Sequence, residues 1–241
     1  MAIQIIQNQR LWMAQYALSP DVSSLTLDNT ADVVENSALA DTYKSRLGGL
    51  KSTAIAFSGF WNEADFADVL SVNIGVSDTF LTFGSEGATV GNVAHFTKII
   101  QGEYSRGASV GDMFAFDVSA EGDGNLIKGE LFVNTTATAT ANGATSQLGA
   151  VSATQNLYGA MHVTSVSGTS PTLDVTVESD SADTFGGAET TRMTFTQATA
   201  ITSEWPTPIA GAITDTWWRV AYTIGGSDTP TFTFVVSLGI L

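Results

Sequence analysis

The stretch Arg106–Ser119, RGASVGDMFAFDVS, contains Gly107-Ala108-Ser109-Val110-Gly111, a formal match to the G-x-S-x-G turn that presents the nucleophile in α/β serine hydrolases. That turn needs a strand before the serine and a helix after it, so the flanks decide the fold class. After Ser109 the chain reads VGDMFAFDVSAEG, in which Phe114, Phe116 and Val118 alternate with Met113, Ala115 and Asp117. Period two over that length marks a half-buried strand, not a helix. Before Ser109, AHFTKIIQGEYS also reads as strand. The sequence therefore predicts a β-hairpin whose loop uses Gly107 and Gly111 for backbone freedom, with Ser109 as a polar turn residue. A serine nucleophile also needs a base. The chain has two histidines, His95 and His162, and only His162 follows Ser109. His162 sits in YGAMHVTSV, an apolar strand context that suits a packed histidine.

The same alternation runs outward in both directions. In KSTAIAFSGFW, Ala54, Ala56, Ser58 and Phe60 share one face, and Thr53, Ile55, Phe57 and Gly59 the other. In the C-terminal TPTFTFVVSLGIL, Phe232, Phe234, Val236, Leu238 and Ile240 alternate with Thr231, Thr233, Val235, Ser237 and Gly239. Turns are expected at Gly122-Asp123-Gly124, Gly168-Thr169-Ser170-Pro171 and Gly225-Gly226-Ser227-Asp228. One stretch reads as helix: NEADFADVLSVNIG, with Phe66, Val69, Leu70 and Ile74 near helical spacing, Asn62 as cap and Gly75 as stop. Glu63 and Asp65 suit its positive N-terminal end. A short turn over Thr42–Leu47 is a weaker helical signal. The fold class is mainly β, with one flanking helix.

Residues 134–150, NTTATATANGATSQLGA, carry almost no large apolar side chain and read as a linker. This divides the chain into residues 1–133, a β module containing the helix, and residues 151–241, an all-β sandwich domain.

Of the 241 residues, 44% are hydrophobic and 14% charged, which excludes global disorder. The net charge of −15 removes the basic footprint of a nucleic-acid gripper. The absence of cysteine excludes disulfides and thiolate metal sites. The N-terminal MAIQIIQNQRLWMAQYALS is neither a secretory signal nor a membrane span. AEGDGN lacks the spacing of a calcium loop, and no phosphate-binding glycine loop with lysine is present, so no cofactor or metal is expected. A carboxylate pair of the glycosidase kind depends on the fold and is not legible from spacing.

DTWWRVAY, Asp215–Tyr222, places Trp217 and Arg219 on one strand face and Trp218, Val220 and Tyr222 on the other. Two readings follow. Trp217, Trp218 and Tyr222 form a sugar-stacking or interface platform, or Trp218 and Tyr222 enter the core while Arg219 lies along Trp217 as a cation–π neighbour.

The segments LADTYKSRLGGLKSTAIAFSGFWN and SRGASVGDMFAFDVSAEGDGNLIKGELF, with the short helix between them, resemble the tail tube (major tail) proteins of long non-contractile phage tails. The C-terminal LYGAMHVTSV to SLGI stretch looks like the appended β domain of the same group. The resemblance implies a virion structural protein without catalysis, made in the bacterial host cytoplasm. Six copies close a ring, rings stack into a tube, and inner strands merge into a barrel through which DNA passes without specific binding. Partners are then further copies, the tape-measure protein and the tail terminator, with no membrane. Were both halves tube modules, a trimer would serve in place of the hexamer. Phe57, Phe60, Met113, Phe114 and Phe116 fall on the candidate tube-wall strands. Residues 36–51, with Asp41, Tyr43, Lys44 and Arg46, take the family's long-loop position and are the candidate inter-ring contact. Alternatives are another virion part, such as a capsid decoration or neck protein, and a carbohydrate-binding sandwich.

Overall fold

The computed structural model describes residues 8–39, 42–61 and 67–241. In chain order the described strands begin with β1 (Arg10–Met13), β2 (Tyr16–Ala17), β3 (Val22–Glu35) and β4 (Arg46–Phe60). Helix α1 (Ala67–Val72) precedes β5 (Thr79–Gly84), β6 (Val93–Gly107), β7 (Ala115–Gly122) and β8 (Ile127–Ala137). Then come β9 (Ala141–Asn142), β10 (Asn156–Asp180), β11 (Thr190–Thr194), β12 (Thr202–Glu204), β13 (Ile209–Ala210) and β14 (Trp217–Ile240). The fold is mainly β, as the alternation predicts, and the strands pair antiparallel.

The chain forms two compact units that are not consecutive in sequence. One comprises residues 1–20, 80–97 and 127–241, the other residues 21–79 and 98–126. The expected boundary at 134–150 does not coincide with this division. Asn134–Ala137 continue β8 against β14, and Ala141–Asn142 form β9 against Tyr222 and Ala221. Small polar residues mimicked a linker because Thr and Ala on a strand bury little yet still offer the backbone for pairing.

In the larger unit, β10 and β14 form one long ribbon, paired from Leu157↔Ile240 to Asp180↔Trp217. The ribbon doubles back at its middle, so that its two halves enclose a common core. Phe232, Phe234, Val236 and Leu238 from one half of β14 pack in the same cluster as Trp218 and Val220 from the other. The bend falls where the sequence predicts turns. Gly168 and Gly226 take φ of 104° and 119°, and Ser170, Asp228 and Thr229 are also left-handed. The turn chemistry thus produces a fold in a continuous ribbon and not a break between strands. Val235, on the opposite face of β14, joins Trp12, Ala94 and Leu131. Both faces of this strand are therefore covered, which is why Val235 to Gly239 are all buried.

The smaller unit is a sheet in the order β3–β4–β7–β6, using the end of β6 after Lys98. Alternation sends Ile55 and Phe57 of β4 and Phe116, Val118 and Ala120 of β7 to one buried face. Phe57 and Phe116 meet edge-on there at 6.4 Å. Helix α1, described over Ala67–Val72, falls within the stretch the sequence predicts as helix. Its Leu70 is buried, and the carbonyl of Leu70 accepts a 2.6 Å hydrogen bond from Gln101 Nε2. Gly75, at φ 71°, follows the helix, and its N–H donates to the Gln101 carbonyl. The expected cap Asn62, with Glu63, Asp65 and Phe66, lies outside the described residues.

Candidate assembly surface

The face of the smaller sheet opposite its core is a continuous exposed surface. The cross-strand register places Ser24, Thr26 and Asp28 of β3 beside Ser58, Ala56 and Ala54 of β4. Those residues in turn stand beside Asp117, Ser119 and Glu121 of β7. Ser105, Glu103 and Ile100 of β6 complete the rows, with a bulge between Gln101 and Glu103. Apart from Ile100, the surface therefore consists of small side chains punctuated by four carboxylates, Asp28, Glu103, Asp117 and Glu121, all exposed. No lysine or arginine stands among them. A shallow trough of about 240 Å³ crosses this face, lined among others by Thr26, Ser58, Glu103 and Asp117.

Both lateral edges of this sheet are open. Among the described residues β3 pairs only with β4, and β6 beyond Gly102 pairs only with β7. A 14-residue edge strand without proline, paired on one side only, presents a row of backbone donors and acceptors that readily accept another strand.

Beyond Thr53, the last buried residue of β4 in this direction, β3 and β4 continue together as an arm exposed on both faces. Glu35 still pairs with Arg46, so residues 46–51, expected to lie in a loop, are strand. The helical signal at Thr42–Leu47 gives no helix. Asn36 N–H donates to the Ser45 carbonyl at 3.0 Å, and Lys44 bonds Glu35 at 3.0 Å across the turn. Val33, Val34, Leu47 and Leu50 are all more than half exposed, and Tyr43 is 87% exposed. Asp41 lies outside the described residues. Lys44, Arg46 and Lys51 make the arm the most basic segment of an acidic chain.

At the other end of β4, Phe60 pairs with Ala115, and the β6–β7 hairpin projects beyond it. Phe60, Val110, Met113 and Phe114 are exposed there. Phe114 stacks edge-on with Trp61 at 5.4 Å. Trp61 Nε1 is buried and meets no acceptor among the described residues. The candidate wall residues thus divide: Phe57 and Phe116 belong to the core face, while Phe60, Met113 and Phe114 are surface.

Ser109 lies in the tip of this hairpin, where its carbonyl accepts from Asp112 N–H at 3.0 Å. A strand, not a helix, follows it, so the nucleophile geometry of G-x-S-x-G is not formed. His162 is fully buried. Its Nδ1–H donates to the Ala14 carbonyl at 2.5 Å, so Nε2 accepts from the Thr82 hydroxyl at 2.7 Å. Burial lowers its pKa to about 4, with the Ala14 bond opposing, and both ring nitrogens are committed. His95 is also held low, mainly by burial and then by the charge of Lys128. Among the described residues no group of three His, Cys, Asp or Glu side chains is placed to hold a metal ion.

The aromatic stretch on β14 packs inward. Trp218 is fully buried, its Nε1 donating to the Gly149 carbonyl at 2.7 Å, and half-buried Tyr222 packs on Phe234. Trp217 is half-buried. Arg219 does not lie along Trp217. It stands 4.3 Å over the Phe185 ring, bonded to Glu178 at 2.7 Å and Glu189 at 3.3 Å. Two carboxylates on neighbouring segments hold the guanidinium there, a pull that strand alternation alone did not reveal.

No protein-family model matches the chain, and no curated protein matches it. Among solved structures it is similar to a chain in the tail of an empty gene transfer agent particle, refined helically with C6 symmetry. That likeness has 12% identity and a TM-score of 0.37, over 44% of this chain and 80% of the other. A chain of the native gene transfer agent virion gives 12% identity and a TM-score of 0.41, over 52% and 97%. The Dit protein of phage SPP1, described as a paradigm of the hub adsorption apparatus in phages infecting Gram-positive bacteria, gives 7% identity and a TM-score of 0.37, over 98% and 100%. All three come from phages or gene transfer agent particles.

Proposed function

We propose that this chain is a tail tube subunit, which closes rings of six copies that stack into a conduit for DNA. The observation that carries the reading is the exposed sheet face: small side chains, four carboxylates and no cation. A protein surface meant to hold a ligand concentrates aromatic and convergent polar groups. This face does the opposite, offering a smooth wall of the sign that repels phosphate. The open edges of β3 and β6 support ring closure, since a head-to-tail strand contact repeated around an axis leaves no edge unpaired. Six four-stranded sheets would give about 24 strands, and a barrel about 40–50 Å across between backbones at ordinary strand spacing and tilt. That bore passes a DNA duplex. The tape-measure protein and tail terminator are the partners this role entails.

Negative-stain microscopy of the purified protein at high concentration tests the reading. Rings and tubes are expected. A species that stays monomeric at every concentration overturns it.

A further inference from the structure

The larger unit carries a cleft at the end of its β1–β2 hairpin. The cleft holds about 470 Å³, within the range of small-molecule sites. Alternation puts Arg10 and Trp12 on one face of β1, and the register sets Ala17 of β2 beside Trp12. Trp12 packs with Val235, whose register partner on β8 is Asn134. Burial falls from Val235 to Thr233, two residues along the same face of β14. The packed region ends there, and Arg10, Ala17, Ser19, Asn134, Thr164 and Thr233 line the opening.

The polar groups of the cleft differ in kind. Arg10 is the one charged residue among those lining it, and it makes no ion pair among the described residues. Its Nη1 donates to the Gln9 carbonyl at 3.3 Å, which leaves most of the guanidinium's donors over. The groups beside it offer acceptors. Asn134 Nδ2 donates to the Ala88 carbonyl at 2.8 Å, and nothing among the described residues bonds Oδ1. The Thr164 hydroxyl donates to the Thr233 carbonyl at 3.3 Å, and the Ser19 hydroxyl to that of Leu11 at 3.4 Å, so both oxygens keep a lone pair for an incoming donor. A guanidinium calls for a carboxylate or phosphate, and acceptors around it call for hydroxyls. We infer that this cleft binds a small polyhydroxylated anion, a sugar acid or a polyol phosphate, with its acid group on Arg10 and its hydroxyls on Asn134, Thr164 and Ser19. Trp12, Val235 and Pro20 form the apolar wall against its C–H groups. A chain of net charge −15 repels anions at long range, so the short-range contact with Arg10 decides the binding. This binding does not depend on ring or tube formation.

Isothermal titration of the full chain with D-glucuronate, glycerol phosphate, glucose and the acidic dipeptide N-acetyl-alanyl-alanine tests it. Arg10→Gln removes the cation. Ala17→Glu sets a carboxylate at the mouth, on an exposed position, and leaves Arg10 in place. A thermal melt of each variant is the folding control, and if Arg10→Gln melts lower than the wild type, Ala17→Glu carries the test. The wild type should bind glucuronate or glycerol phosphate, and glucose about tenfold more weakly or less, since one charge-assisted contact is worth about that factor. Each variant should weaken the anion about tenfold or more. Whichever anion binds better identifies the acid group. No saturable binding of either anion at millimolar concentration overturns the inference, as does glucose binding as tightly as the anions. A variant that melts like the wild type and keeps full affinity moves the anion to another site and overturns it too. A dipeptide that matches the better anion shows a carboxylate site without sugar recognition, and the ligand class then falls.

Discussion

Tyr222 and Phe234 belong to one strand, yet their rings meet edge-on with centroids 5.2 Å apart. On a straight strand they would lie about 40 Å apart. The contact therefore records the doubling of β14 on itself, and the core of the larger unit depends on it. Phe234 is fully buried between the two halves. Phe234→Ala should lower the unfolding free energy by about 3–5 kcal/mol, read from denaturant midpoints at constant slope. Trp217→Ala, at a half-buried position outside the core cluster, should cost far less. Equal losses for the two would show that the ribbon does not fold as described.

His162 gives a pH dependence with a definite sign. In the folded protein its pKa is lowered to about 4, while an unfolded chain titrates it near 6.5. The unfolded state therefore binds more protons between these values, and stability falls as pH drops from about 6.5 to about 4, then levels. Above pH 7 the group contributes no pH dependence. Between pH 7 and pH 5 the expected loss from this one group is about 2 kcal/mol. His162→Gln keeps a donor for the Ala14 carbonyl and an acceptor for Thr82 but cannot titrate. Its stability drop over the same interval should be smaller by about that amount. Identical pH profiles for the two proteins would refute the assignment.

Strand alternation made most of the smaller unit legible before any coordinates. The faces of β4 and β7 fall where Ala54, Ala56 and Ser58 alternate with Ile55 and Phe57, because one buried face imposes period two on both strands. The division into units was not legible, since residues 80–97 and 127–241 come together through pairings that no local pattern encodes. The bend at Gly168 and Gly226 reads locally as two ordinary turns, and only the register across the ribbon joins them. The candidate surface was half visible. Its acidity showed in composition, but its concentration on one face needs the cross-strand rows of β3, β4, β7 and β6.

Close backbone approach makes Gly129 a sensitive test of the β8–β14 register. A Cβ built there would stand 1.9 Å from the Leu238 carbonyl oxygen. The neighbouring atoms belong to the backbone of a central strand and cannot step aside as a flexible side chain can. Gly129→Ala should destabilise by about 1–3 kcal/mol by overpacking. Gly107→Ala, where nothing lies within 4 Å, serves as the neutral comparison in the same thermal melt. A neutral Gly129→Ala would mean that β8 and β14 are not paired at this register.

If the acidic face lines a conduit, its charge should matter to DNA more than to folding. Asp117 and Glu121 are exposed, and neither takes part in an ion pair among the described residues. Asp117→Lys with Glu121→Lys shifts the face by four charges per chain without disturbing the opposite core face. Ring and tube formation should survive, with a melting midpoint close to the wild type. The altered tubes should retain double-stranded DNA in a filter-binding or co-sedimentation assay, with an affinity that falls steeply as salt rises, because each lysine near a phosphate releases counterions. Wild-type tubes should retain none under the same conditions. Variant tubes that ignore DNA at low salt would place this face away from the bore, and the carboxylates would then be ordinary solvent-facing charges.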